Sequence, residues 1–373
     1  MFTKLNMSHK ISLFAPSLRG GGAERVMSVL ARGFAEKGLS VDLVLVNATG
    51  PYLADIPDSV RIVDLNSRRA LTALPALVRY LRRERPAAML STLFHANIVA
   101  LWARALSRVP VRVVIRLPNM LNAGVGRKQS VKDKIVSRLM TYAGRNADAV
   151  VALNGTMAAE FQTATGVAQE KIKVINNPFP VERIAARAKQ PLNHPWFQAE
   201  QPPVVLAVGR LTHQKGFDDL IDAFAILRRQ QAARLIILGD GELRPALQAG
   251  IDELGLSDDV ALPGFDDNPY QYMQRAAAFV LPSRWEGFPN ALTEAMACGA
   301  PVVATDCPGG SAEILAHGKW GELVPVGDPH AMADAIGRTI NADDHPGVER
   351  RADDFSVDGV VRLYLEQLLP DSL

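Results

Sequence analysis

Two carboxylates, Glu286 and Glu294, bracket the segment Glu286-Gly-Phe-Pro-Asn-Ala-Leu-Thr-Glu294 directly after a short apolar run, Ala277 to Leu281. A strand thus aims its carboxyl end at a turn, and a helix begins with acidic groups at hand. A carboxylate accepts two hydroxyl hydrogens and suits a diol, so the pair fits a ligand rich in hydroxyls. A second constellation is Gly209-Arg210-Leu-Thr-His-Gln-Lys215-Gly216, after another apolar run. Arg210 offers a planar donor fork and Lys215 a mobile point charge, and together they suit one polyanion. Two unrelated surface charges are the plain alternative.

Other residues of this kind lie earlier in the chain. Gly20, Gly21 and Gly22 follow the first strand and open the first helix. The spacing is neither the dinucleotide fingerprint nor the P-loop, so the loop promises backbone N–H groups for an anion or is a flexible turn. His95 stands just past a strand in Ser91-Thr-Leu-Phe-His-Ala-Asn97. No neighbouring His or Cys suggests a metal, and no metal site is expected. A hydrogen bond to a sugar hydroxyl or carbonyl is its functional role; a structural histidine is the rival. Asn119 opens another glycine-containing loop, which leads into Arg127, Lys128, Lys132 and Lys134. Those cations alternate with apolar residues, as on a helix meeting an anionic lipid surface or on an ordinary packed helix. Gly264 and Phe265 follow a further strand, in a loop that offers backbone contacts to a base or is a plain connection.

These residues need elements to position them. The first half alternates short β-rich runs, from Ile11–Pro16 to Ile172–Asn176, with helical patterns at Ala23–Lys37, Leu74–Arg85, Asn97–Leu106 and Val131–Tyr142. That is a βα series with buried parallel strands. Pro178-Phe-Pro180 and the stretch Pro191 to Pro203 are proline-rich and poorly periodic and read as a hinge or linker. The series restarts at Val204–Val208 and ends in an amphipathic segment, Ser356–Leu369. Two open α/β domains are the economical architecture for 373 residues.

Charge divides along the same line. Residues 1–180 hold 25 Lys and Arg against 11 Asp and Glu, a balance of +14, whereas residues 181–373 balance at −12, within a net charge of +2. The basic half favours an anionic partner. Nucleic acid is disfavoured because few aromatics sit among the basic residues and no known reading motif appears. Cys298 and Cys307 do not make a disulfide framework and read as buried thiols in a reducing compartment. No run of about 18 apolar residues or signal-peptide pattern is found, so a cytoplasmic protein is expected.

Taken together, the Arg210-to-Lys215 and Glu286-to-Glu294 segments resemble the retaining nucleotide-sugar glycosyltransferases of glycosyltransferase family 4, over nearly the whole chain. The resemblance implies a GT-B fold: two Rossmann-like α/β/α domains facing a cleft, with the last helix crossing back to the first domain. The expected division is an acceptor-binding domain at 1–180, a linker at 181–203, a nucleotide-sugar domain at 204–355 and a returning helix at 356–373. By similarity, Arg210 and Lys215 grip the donor diphosphate, Glu294 binds ribose and Glu286 stands beside the donor sugar. His95 contacts the transferred sugar, the Gly20–Gly22 loop closes over the phosphates, and Gly209, Gly264, Phe265, Asn290, Ala291 and Leu292 complete the donor site. Asn119, Arg127, Lys128, Lys132 and Lys134 remain for acceptor or membrane surface.

The implied reaction retains anomeric configuration and uses neither metal nor cofactor beyond a UDP-sugar. The wording Glu-Gly-Phe-Pro-Asn-Ala-Leu-x-Glu-Ala-Met-Ala-Cys-Gly resembles the branch that transfers N-acetylhexosamine during polysaccharide and lipid-linked glycan assembly. It implies a polyprenyl-diphosphate-linked acceptor and a peripheral place on the inner face of the cytoplasmic membrane. Ser311-Ala312 departs from that branch, where relatives often carry a further basic residue, so sugar preference stays open. A glycosyltransferase with a soluble acceptor and a nonhydrolysing UDP-sugar epimerase are the rival readings.

Overall fold

A computed structural model describes residues 10–19, 22–117 and 131–370, with side chains from 135 onward in the last stretch. It has two compact units, one formed by Met1–Pro178 with Val357–Leu373 and the other by Phe179–Ser356.

The first unit contains strands β1 (Lys10–Ala15), β2 (Ser40–Leu45), β3 (Val60–Asp64), β4 (Ala88–Thr92), β5 (Arg112–Arg116), β6 (Ala149–Ala152) and β7 (Ile172–Val174). They form one sheet in the order β3-β2-β1-β4-β5-β6-β7, with every pair parallel. β1 and β4 are fully or almost fully buried along their lengths, as a sheet covered on both faces requires. The helix Gly22–Glu36 lays its buried residues against the sheet, including Met27, Leu30 and Phe34.

The last helix, Val357–Leu368, belongs to this unit. Val360, Val361, Tyr364, Leu365 and Leu368 join the same core. Gly33 leaves room for it: a Cβ there would stand 2.6 Å from Val361. Arg112 Nε donates to the Gln367 carbonyl at 2.6 Å.

The second unit contains β8 (Val204–Val208), β9 (Arg234–Leu238), β10 (Val260–Gly264), β11 (Ala278–Leu281), β12 (Val302–Thr305) and β13 (Glu322–Val324). Its sheet runs β10-β9-β8-β11-β12-β13, again all parallel. In each sheet the strand order reverses once, between β1 and β4 and between β8 and β11. Ligands bind open α/β sheets at such switch points, outside the carboxyl ends of the strands.

Two expectations change. Residues 181–203 are not a separate linker. Val181–Ala188 is a helix that buries Ile184 and Ala188 within the second unit, and Asn268 Nδ2 bonds both its Arg187 carbonyl (3.1 Å) and Gln190 (2.9 Å). Two prolines before the helix and one after Gln190 disguise a short amphipathic turn as a loop. A helix at Gly155–Thr165 is also present. Its start is set by Asn154, whose side chain accepts from the Met157 N–H at 2.7 Å, an N-cap that the sequence displays.

Candidate active site

In the second unit the loops after β8 and β11 are stitched together at the switch point. The Arg284 N–H donates to the Gln214 carbonyl at 2.8 Å. Gln214 Nε2 returns a bond to the Trp285 carbonyl at 2.9 Å. Between these backbone ties, Lys215 Nζ lies 2.6 Å from Glu286 Oε1. Ser283 Oγ donates to the same Glu286 oxygen at 2.6 Å. The lysine keeps 16 % of its side chain exposed and the glutamate 6 %, so the pair sits just beneath the surface at the carboxyl edge of the sheet.

Two glycines make this geometry possible. Gly216 adopts φ 63°, and a Cβ on it would stand 2.2 Å from the Pro282 carbonyl oxygen. Gly309 adopts φ 123°, and a Cβ would stand 1.7 Å from the Glu286 carbonyl oxygen. Only glycine permits such a backbone with so close an approach. The Glu286 N–H donates to the Pro308 carbonyl at 2.9 Å, so the Pro308–Gly310 turn fixes the glutamate from behind.

Arg284 was not picked out from sequence. It forms a two-pronged bond to Asp218 at 2.9 and 2.8 Å and reaches Asp219 at 2.9 Å. Burial acts to raise the Asp218 carboxyl, but the Arg284 guanidinium outweighs it and holds the group below its ordinary value. Burial raises Asp219. The acidic pair at the start of the helix Phe217–Gln230 is what the helix dipole alone favours, so the sequence carries no separate signal of this cation.

Glu294 is buried in the helix Asn290–Ala297. The Tyr270 hydroxyl bonds its Oε1 at 3.2 Å, and the Arg187 guanidinium lies 5.4 Å from the centre of the Tyr270 ring. The segment expected to be linker therefore supports the tyrosine that holds Glu294. Neither Tyr270 nor Arg187 carries a motif that sequence reading would find. The loop between the two glutamates is seated by Phe288, whose ring lies 6.0 Å from both Phe179 and Phe355.

The remaining residues expected at a donor site are spread along the same edge. Arg210 is exposed. The Gly209 N–H is bonded to the Leu238 carbonyl at 2.9 Å. The Asn290 N–H bonds the Phe288 carbonyl and the Leu292 N–H the Pro289 carbonyl, so both amides close the tight first turn of their helix. Ala291 lies beside them, half-buried. Gly264 ends β10 with φ 99°, and the Phe265 side chain after it is 81 % exposed. An aromatic face left in water at a ligand edge is suited to stacking on a flat group.

In the first unit, His95 lies exposed in the first turn of the helix Phe94–Ser107, whose onset is earlier than the sequence pattern indicates. Leu93 makes the turn with φ 71° and ψ 137°, a left-handed φ that strains a branched residue. Gly22 opens the helix after β1, on the other side of the switch point. Gly20, Gly21, Asn119, Arg127 and Lys128, with the side chains of Lys132 and Lys134, lie outside the described residues. Both cysteines are free and buried. Among the described residues no cluster of three or more His, Cys, Asp or Glu is arranged to hold a metal, and no helix is long and apolar enough to cross a membrane.

Comparison with known proteins adds the following. Residues 189–352 match the family model described as glycosyl transferases group 1, and residues 21–178 match the glycosyl transferase 4-like domain. A similar relative is the N-acetylgalactosamine-N,N'-diacetylbacillosaminyl-diphospho-undecaprenol 4-alpha-N-acetylgalactosaminyltransferase of Campylobacter jejuni. It is 29% identical over 90% of this chain and 91% of its own. The lipopolysaccharide core biosynthesis glycosyltransferase LpsE of Rhizobium meliloti is 29% identical over 94% and 96%. Among solved structures, Anabaena Alr3699/HepE in complex with UDP superposes with a TM-score of 0.79 at 22% identity, covering 96% of this chain and 99% of that one. The lipopolysaccharide outer core galactosyltransferase WaaB gives 0.75 at 21% identity, covering 97% and 99%. At that identity the likeness is one of fold.

Proposed function

The chain belongs to the glycosyl transferases of group 1 with a 4-like first domain, and from that membership we propose a specific reaction for it. It moves a hexose or N-acetylhexosamine from a UDP-sugar to a hydroxyl of a growing glycan carried on undecaprenyl diphosphate. The configuration at the anomeric carbon is retained, and no metal or other cofactor takes part. One observation carries the donor assignment: Lys215 and Glu286, a cation and a carboxylate, meet at the switch point of the second sheet. A diphosphate needs the cation, and a hexose ring needs the hydrogen-bond acceptor.

In this reading Lys215 and Arg210 bind the diphosphate. A phosphate oxygen draws Lys215 toward it and leaves Glu286 free to accept from sugar hydroxyls. Glu294 accepts from the ribose, and Phe265 stacks on the uracil. The bond from the anomeric carbon to the diphosphate oxygen breaks as the acceptor oxygen attacks from the same face. The acceptor proton passes to a donor phosphate oxygen, so no protein nucleophile is required. Negative charge grows on the leaving diphosphate, and fixed positive charge there lowers the barrier. His95 keeps the role the resemblance implies, a hydrogen bond to the transferred sugar.

The acceptor assignment rests on the printed function of the Campylobacter relative and on the positive balance of the first half of the chain. An anionic membrane surface suits that balance, and binding to anionic against neutral vesicles tests it. The reaction is tested by incubating the protein with a panel of nucleotide sugars and undecaprenyl-diphosphate-linked acceptors, resolving products by mass and anomeric NMR. An α-linked product that requires the lipid acceptor is expected. Transfer only to a soluble acceptor removes the lipid assignment, and conversion of the UDP-sugar without any acceptor favours the epimerase reading.

A further inference from the structure

The least accessible cation among the described residues of the first unit takes no part in the chemistry above. Arg116, the last residue of β5, is 1 % exposed, and its partners among the described residues are neutral. Nη1 donates to Thr92 Oγ1 at 3.2 Å. Nη2 donates to Asn177 Oδ1. The Tyr364 phenol stands beside the guanidinium, but neither its hydroxyl nor Arg116 Nε has a hydrogen-bond partner. Burying a charge without a counter-charge is costly, and an apolar side chain of similar length often serves stability as well or better. Packing alone therefore does not account for an arginine here.

Its partners show what it connects. Thr92 pairs with Arg116 in the β4–β5 register and immediately precedes Leu93, the strained residue of the His95 turn. Asn97, buried on the helix two residues after His95, donates to the Arg116 carbonyl at 3.1 Å. The arginine thus grips that turn from its side chain and from its backbone. Asn177 lies just before the point where the chain leaves the first unit, at Pro178, and Tyr364 is on the helix that begins where it returns, at Val357.

We propose that Arg116 is a positioning residue, which sets the strand-to-helix turn carrying His95 and fixes to the same strand end the segment where the chain leaves the first unit. The inference rests on the proposed role of His95 in transfer. Arg116 touches no substrate in it; it acts through Thr92 and Asn97.

The test uses full-length protein with Arg116→Met and Arg116→Lys. Three quantities are read: kcat and KM for the donor, the thermal midpoint, and amide hydrogen exchange over residues 91–97 and 175–178. Arg116→Met is expected to keep or raise the midpoint while kcat falls about tenfold or more and donor KM holds. Exchange should rise in both segments together, and Arg116→Lys should recover part of each loss. A folded Arg116→Met protein with wild-type kcat and wild-type exchange overturns the proposal, as does a kcat loss with unchanged exchange. If Arg116→Met does not fold, Arg116→Lys decides: raised exchange in both segments supports the role, and unchanged exchange overturns it. If the wild-type protein transfers no sugar, the proposed function fails, while the exchange data still decide whether Arg116 holds the two segments.

Discussion

Lys215 Nζ and Glu286 Oε1 lie 2.6 Å apart although 71 positions separate them in the chain. A cation suited to phosphate and a carboxylate suited to sugar hydroxyls neutralise each other in the absence of ligand. In the proposed donor complex each group exchanges one partner for another, so no buried charge is stranded. Lys215→Ala should reduce turnover about 10²-fold and destabilise the fold by about 1–3 kcal/mol, because Glu286 loses a charged hydrogen-bond partner. Arg210 is exposed, so Arg210→Ala should leave stability within about 0.5 kcal/mol while turnover falls. Denaturant melts and steady-state kinetics on the two variants check both. Near-normal turnover in both variants would remove the diphosphate role.

Gly309 provides a separate test of how Glu286 is held. A methyl group there meets the Glu286 carbonyl oxygen at 1.7 Å, and its φ of 123° disfavours alanine independently. Gly309→Ala should cost about 1–3 kcal/mol and lower kcat, since the Glu286 loop must shift. A variant with wild-type melting and kinetics would show that the turn does not fix the loop.

Phe265 carries most of its side chain in water, so its removal should leave the melting temperature unchanged. If it stacks on the donor base, Phe265→Ala raises donor KM about tenfold, the loss typical of one aromatic–base contact. Calorimetric titration with UDP measures the same loss directly. Equal UDP affinity in both proteins would remove Phe265 from the site.

Acid should weaken the first unit through Glu84. Hydrogen bonds from Arg61 and Lys10 hold its carboxyl down at about 2, against 4.5 for a free glutamate. A depressed folded-state value contributes stability that is complete above pH 4.5 and is lost as pH falls toward 2. The stability difference between wild type and Glu84→Gln should therefore shrink across that window. A difference independent of pH between 5 and 2.5, measured by urea melts, would contradict the assignment.

The thiols are chemically quiet by the same kind of reasoning. Burial pushes the Cys298 thiol up to about 12 and raises Cys307 as well. Because the thiolate is the reactive form, neither should react with a thiol reagent at pH 8 in the folded protein, and both should react on denaturation. Rapid labelling of the native protein would show that this burial is not maintained in solution.

The sequence by itself determined the alternation of strands and helices, the two α/β units and the positions of the chemical residues at strand ends. These are local properties: apolar runs make buried parallel strands, and glycines next to charged residues mark their exits. Tertiary structure decided which of those residues meet. The order β10-β9-β8-β11-β12-β13 places the exits of β8 and β11 side by side, and only this brings Lys215 to Glu286. It also decided that Val181–Ala188 packs in the second unit under the Tyr270–Glu294 bond, where proline-rich sequence suggests a linker. Arg116 is the clearest case: in sequence it is one arginine among many in a basic half. Its burial becomes visible only when Thr92, Asn177 and Tyr364, drawn from distant parts of the chain, close around it.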